Sequence, residues 1–256
     1  MPKLAQYELT LLDWIRDHKG YRQYVAIAGK CWPAFQTQFG FVPCYVNSRL
    51  ASRGIPVSCE VDIYGALSEY IGACVSQDAV TLLDINNTVP YDMYEEDIEG
   101  KFDYKKDDIF MGFHCGNTSS RKLSFCQMKY QLIMARSLPE EVTQGTLEGD
   151  IAPGNITFFR IQSTADTKLR AYVAQGEVLP VATRSFGSIG IFAISEMKRF
   201  YRHVLIEQNF PHHGAVAFGH YGKALYEVFK YIGVDVKDIK YNQPKYIRYD
   251  TENPFQ

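Results

Sequence analysis

At 256 residues, with 46% apolar and 22% charged residues, the chain is long enough to bury a sizeable core as one large domain or two small ones. A net charge of −2 leaves no basic surplus for a nucleic-acid backbone, and no apolar run is long enough to span a bilayer. The N-terminal stretch carries acids within its apolar pattern and lacks a secretory h-region; six cysteines without a CxxC pair read as reduced thiols, so a cytoplasmic protein is expected.

Leu4, Tyr7, Leu11, Trp14, Ile15 and His18 share one face at helical spacing, ending before Gly20. A second helical pattern through Tyr24, Ala28 and Cys31 meets Pro33, which should end it near Trp32. Residues 47–53 read as a short helix stopped by Gly54, and 55–59 as a short strand. Asp62 then stands as N-cap of a helix whose apolar positions are Ile63, Ala66, Leu67, Tyr70, Ile71 and Cys74. Glu60 falls where strand hands over to helix, a point that carries ligands in α/β domains.

From about Ser76 the character changes. Residues 79–83 (AVTLL) form a buried-strand pattern ending on Asp84. The acidic stretch 92–108 matches no calcium-loop spacing and reads as a solvated excursion. A strand over 108–113 delivers His114, and further strands are expected at 155–162, 169–178 and 188–194. Ser195 caps a helix that buries Met197, Phe200, Tyr201, Val204 and Leu205 and turns His203 to solvent. After Asn209 and Pro211 come His212, His213 and the strand GAVAF, then a helix through Leu225, Val228, Phe229 and Ile232 closed by Gly233.

The common nucleotide, hydrolase and zincin signatures are absent. His114 and Cys115 point to opposite faces of a strand, which disfavours a thiol–imidazole pair. Carboxylates and imidazoles at element ends remain: Glu60, Asp84, His114 and the pair His212–His213. Each has a bland alternative, as capping charge, turn residue or core histidine. Alternation puts His213 on a face with Ala215 and Ala217, where there is room beside it, and His212 with the bulkier Val216 and Phe218. Two carboxylates with one or two imidazoles make an oxygen-rich divalent site suited to manganese or magnesium, and two neighbouring carboxylates can shuttle a proton.

GIPVSCEVDIYGALSEYI, followed by Asp84 in LLDINN and by NFPHHGAVAFGH, resembles the L-fucose isomerase/L-arabinose isomerase family of ketol isomerases. The resemblance implies Glu60, Asp84 and His213 as ligands of Mn²⁺ (Mg²⁺ or Co²⁺ as alternatives), His114 in FHCGN as a further candidate ligand, and Asn209 as a sugar contact. EGDIAPGNITFFRI resembles a β-turn-β piece of the family's C-terminal barrel. The fold implied is α/β plus β-barrel: residues 1–75 as the C-terminal part of a middle α/β domain, and 76–256 as an antiparallel β-barrel-like domain with flanking helices that carries the ligands. Family members are roughly twice as long, so the chain is expected to need missing N-terminal domains and to form a homo-oligomer. The implied activity is aldose–ketose isomerisation of L-fucose, L-arabinose or D-arabinose through a cis-enediol, with Glu60 and Asp84 moving the protons. Gln36 and Gln38 are candidate sugar donors, with Arg184 and Phe186 at the pocket rim. The alternatives are a truncated, non-catalytic sugar-binding or regulatory module, and a metal-dependent aldolase or hydrolase using the same ligands.

Overall fold

The computed structural model describes residues 2–243, 248 and 250–255. Helix α1 (Pro2–His18) buries Leu4 and Ile15 and, between them, Glu8, whose carboxylate accepts from Arg49 Nε at 2.6 Å. Trp14, expected on the buried face, is 52% exposed. The helix expected through Tyr24, Ala28 and Cys31 is not formed. There β1 (Ile27–Ala28) pairs in parallel with β2 (Val57–Ser58), so strand pairing from outside the segment overrides its local period.

Two short helices follow Pro33, α2 (Ala34–Gln38) and α3 (Cys44–Ala51). Helix α4 (Ile63–Ser76) begins at Asp62, whose Oδ1 accepts from Gly65 N at 2.8 Å. Its buried face carries Gly65, Ser68, Glu69 and Gly72, while Ile63 and Leu67, expected inside, are exposed. Small residues bring the helix axis close to the sheet behind it: a Cβ at Gly72 would lie 2.5 Å from Phe159 Cζ.

The remaining strands are β3 (Val80–Asn87), β4 (Ile109–His114), β5 (Gln127–Tyr130), β6 (Gln144–Asp150), β7 (Gly154–Ser163), β8 (Leu169–Leu179), β9 (Ser188–Ala193), β10 (His213–Ala217) and β11 (Ile239–Asn242). Among the described residues they join one sheet in the order β11-β8-β7-β10-β3-β4-β9-β6-β5, with a further pairing of β8 to β9. Most neighbours run antiparallel; β11–β8 and β6–β9 are parallel. Strands do form around the turn at Pro153, but β6 and β7 each pair elsewhere and make no hairpin. One face of the sheet packs Phe159, Ala215 and Ala217 with Ile71 and Ala73 of α4. The other gathers Leu83, Phe158, Tyr172, Phe192 and Phe200. The architecture is thus a mixed α/β fold with a large sheet, and the apolar residues of α4 pack against strands that lie beyond the boundary expected near residue 75.

The acidic stretch is not wholly solvated: α5 (Tyr91–Asp97) and the turn after it bury Met93 and Ile98 against Ile109. Helix α6 (Met197–Phe200) continues as a π-helical turn over Tyr201–Ile206. The wider turn rotates the stripe, so Tyr201 is exposed, and His203, expected in solvent, is buried with Nδ1 3.0 Å from Glu207 Oε1. Helix α7 (Gly222–Tyr231) follows β10 and buries Leu225 and Phe229.

Candidate metal centre

Antiparallel pairing of β10 with β3 sets His213 directly opposite Asp84. Cross-strand partners project to one face, and the register places His213 Nε2 3.0 Å from Asp84 Oδ1. The third group arrives from the β2–α4 connection. Glu60 and Val61 have φ of 61° and 59°, a left-handed conformation that is rare for a β-branched residue and concentrates at functional sites. The turn is held by Val61 N donating to Gly29 O and Asp62 N to Cys59 O, both at 3.2 Å. It carries Glu60 Oε2 to 3.8 Å from His213 Nε2. Three residues distant in sequence therefore converge on one spot beside the N-terminus of α4.

His212 also belongs to the cluster. Its ring is exposed, with Nε2 3.7 Å from Asp84 Oδ1, and donor atoms of Asp84, His212 and His213 all lie within 4.8 Å of one another. Alternation on β10 had set His212 aside, but it precedes the strand and escapes the strand's facing rule. His114 closes β4 with its ring centroid 6.1 Å from that of His213. Its Nδ1 accepts from Cys115 N at 2.9 Å, leaving Nε2 buried without a partner.

Behind His213 lies a buried ion pair. Asp62 Oδ2 is 3.0 Å from His213 Nδ1. Arg160, on β7, donates to both Asp62 oxygens at 2.7 and 2.8 Å and to His213 O at 3.2 Å. Burial opposes the charged form of His213, but the hydrogen bond to Asp62 and the negative charge of the neighbouring Asp84 outweigh it and hold the imidazole at about 9. Burial likewise works against ionised Asp62 and Asp84, yet His213 pulls both below the usual carboxylate range, with Arg160 adding to the effect on Asp62. Burial lowers His114. Sequence reading treated Asp62 only as a cap and missed Arg160. The one available sign was a lone charge inside the apolar run ITFFRI, since a buried arginine requires a partner.

The cluster fits a divalent ion. Asp84 Oδ1 is buried and, although close to His213 Nε2, lacks the alignment of a hydrogen bond and has no partner. Neighbouring ligands of an octahedral ion bound at about 2.1 Å stand roughly 3.0 Å apart, the separation of these two atoms. Carboxylate and imidazole donors without thiolate suit manganese, magnesium or cobalt.

The other expected site residues are spread more widely. Asn209 is exposed and lines a groove of about 500 Å³ with Gln162, Tyr201, Phe210, Pro211 and His212, so it lies beside the cluster. Gln36 does not face it: the side chain is buried and its amide donates to Cys31 O and Pro33 O, at 3.1 and 2.9 Å. Gln38 lines a separate aromatic hollow with Tyr7, Phe35 and Phe41. Both were expected to donate to sugar; the turn after Pro33 directs them elsewhere. Arg184 is engaged with Asp97 at 3.0 Å, and Phe186 packs edge-on to Phe113.

Comparison with known proteins bears on this geometry. Residues 112–240 match the family described as L-fucose isomerase, C-terminal domain. Sulfoquinovose isomerase of Alkalicoccus urumqiensis is 24% identical over 241 residues, covering 93% of this chain and 48% of that protein. Sulfoquinovose isomerase of Priestia megaterium is 23% identical over 242 residues, covering 92% and 48%. That of a Clostridium species is 37% identical over 90 residues, covering 30% of this chain and 20% of that protein. The chain spans about half the length of the first two relatives.

Proposed function

Because the chain belongs to the family of the L-fucose isomerase C-terminal domain, we propose that it is the catalytic half of a metal-dependent aldose–ketose isomerase, with Glu60, Asp84 and His213 holding Mn²⁺. Mg²⁺ and Co²⁺ are the alternatives. The observation that carries the reading is the convergence of these donors, with Asp84 Oδ1 buried and lacking a hydrogen-bond partner. The bound ion supplies Lewis-acid polarisation of the substrate carbonyl and of the adjacent hydroxyl. The open-chain sugar lies in the groove beside His212, where Asn209 and Gln162 offer hydrogen bonds. Glu60, the more exposed carboxylate at 53% against 24% for Asp84, takes the C2 proton and returns it to C1. Asp84 manages the hydroxyl proton as the cis-enediol forms and collapses. His114, the further candidate ligand, has Nδ1 accepting from Cys115 N, so its ring proton stands on the buried Nε2 and the ring offers a hydrogen bond there.

L-fucose, L-arabinose and D-arabinose are the substrates proposed. Sulfoquinovose, the sugar in the relatives' names, shares the C1–C2 chemistry and is tested beside them. The ring of strand pairings β8-β7-β10-β3-β4-β9-β8 supports reading the C-terminal sheet as the family's barrel. Cytoplasmic residence and assembly as a homo-oligomer belong to the same proposal. The second reading is a sugar-binding or regulatory module without turnover.

The test is incubation of the purified chain with Mn²⁺ and these four sugars in deuterated water. Isomerisation with solvent deuterium at C1 of the ketose, and at C2 of aldose re-formed by the reverse reaction, lost on chelation and reduced at least ~100-fold in Glu60→Gln, is expected. Retention of the C2 hydrogen would reject Glu60 as base and favour an aldolase or hydrolase. Thermal stabilisation by sugar without turnover would establish the binding module.

A further inference from the structure

His213 and the ion pair behind it have a shape that a merely structural ion pair would not need. The three residues come from three elements: Asp62 from the cap of α4, Arg160 from β7, and His213 from the start of β10. Arg160 is 4% exposed and spends both terminal nitrogens on the site, gripping Asp62 with a two-toothed fork and reaching the backbone oxygen of His213 as well. Asp62 divides its oxygens: Oδ1 serves Gly65 N, and Oδ2 faces His213 Nδ1. With Nδ1 committed to Asp62, the lone pair of a neutral His213 ring stands on Nε2, the atom that faces Asp84 and Glu60.

We infer that Asp62 and Arg160 act as one positioning unit, which sets the tautomer and ring orientation of His213 so that Nε2 is presented as a metal donor. The inference rests on the metal-site reading above and adds two residues that touch neither ion nor sugar. Arg160 has a distinct task within the unit. Its charge keeps Asp62 an acceptor in a buried setting, and its bond to His213 O fixes the backbone from which the ring projects. Carboxylate partners of this kind typically change metal affinity 10- to 100-fold when removed.

The test is calorimetric titration of the metal-free chain with Mn²⁺, together with the visible absorption spectrum of the Co²⁺-loaded protein. Asp62→Asn keeps an oxygen for Gly65 N and so preserves the cap. The double variant Asp62→Asn/Arg160→Gln removes both charges together and serves if the single variant folds poorly; melting temperatures of the metal-free proteins monitor the fold. The expected result is a loss of Mn²⁺ affinity of about 10- to 100-fold in either variant, a changed Co²⁺ spectrum, and no further loss in the double variant beyond the single one. Unchanged affinity and spectrum in both, with binding abolished by Asp84→Asn, would overturn the positioning role alone. Wild-type affinity in Asp84→Asn and in His213→Ala would overturn the metal-site reading, and this inference with it.

Discussion

Around His213 the charges oppose burial at almost every position. His213 stands at about 9 against an ordinary 6.5, so its contribution to stability is complete below 6.5 and disappears as pH rises through 9. Glu69 behaves in the same sense for a different reason. Burial is the main cause that raises it from 4.5 to about 8, even though Ser58 Oγ donates to it. The unfolded chain ionises this group from 4.5 upward while the folded chain resists until 8, so stability falls across that window too. Asp62 and Asp84, held low, contribute above the ordinary carboxylate range and lose their contribution only in acid. The melting temperature of the metal-free protein is therefore expected to decline between pH 6.5 and 9, with a shallower decline in Glu69→Gln. A level profile across that interval would contradict the assignment. Truncating Asp62 to Ala has a separate outcome, since it strands Arg160 in the interior. A loss of about 3–5 kcal/mol is expected from the uncompensated charge and about 1 kcal/mol more from the cap, measured by urea denaturation.

Helix α4 shows how an element can deliver chemistry through the residues that seem least eventful. Its sequence is amphipathic by pattern, yet the face against the sheet is the one with glycine and serine, because only short side chains let Asp62 and Glu60 at its start reach β10. Gly65 and Gly72 record that approach: a Cβ at either meets neighbours at 2.5 Å, Asp62 Oδ2 in the first case and Phe159 Cζ in the second. Gly72→Ala would raise helix propensity by about 1 kcal/mol, but the clash dominates, and a net destabilisation of about 1–3 kcal/mol is expected from overpacking. Gly100→Ala is the contrast. No atom crowds its Cβ, but φ is +70°, so any loss there reflects backbone strain alone. Chemical denaturation of both variants, with Mn²⁺ affinity measured alongside, separates the two. Gly72→Ala should weaken binding as well as stability, because α4 carries the site's edge, whereas Gly100→Ala should leave binding as it was.

Across the molecule, the donors sit where three pieces of chain meet: the β2–α4 turn, the interior of β3 and the start of β10. Legibility in sequence followed the range of each determinant. The helix at 63–76, its cap at Asp62 and the strand leading to Asp84 were readable because periodicity and capping are local, although that strand runs on to Asn87 instead of ending on Asp84. The face of α4 was read in part: Ala66 and Ile71 are buried as expected, but Ile63 and Leu67 are exposed, since which stripe is buried depends on what lies against it. The segment around Ile27 was misread for a similar reason, because its partner strand is far along the chain. The pairing of donors was available only through resemblance of motifs. Arg160 was invisible as a participant: nothing within ITFFRI says what a buried charge will meet.

What the sequence by itself determined, then, is the turn, the cap and the strands on which Glu60, Asp62, Asp84 and His213 stand, because turns, caps and alternation depend on residues a few positions apart. What only the tertiary structure decided is that these ends meet. Asp62 lies 98 residues from Arg160 and 151 from His213, and the meeting of His213 with Asp84 depends on the register of β10 against β3. Register is a property of the assembled sheet: a shift of one residue would turn every side chain of β10 to the opposite face, and no local pattern near His213 specifies that shift.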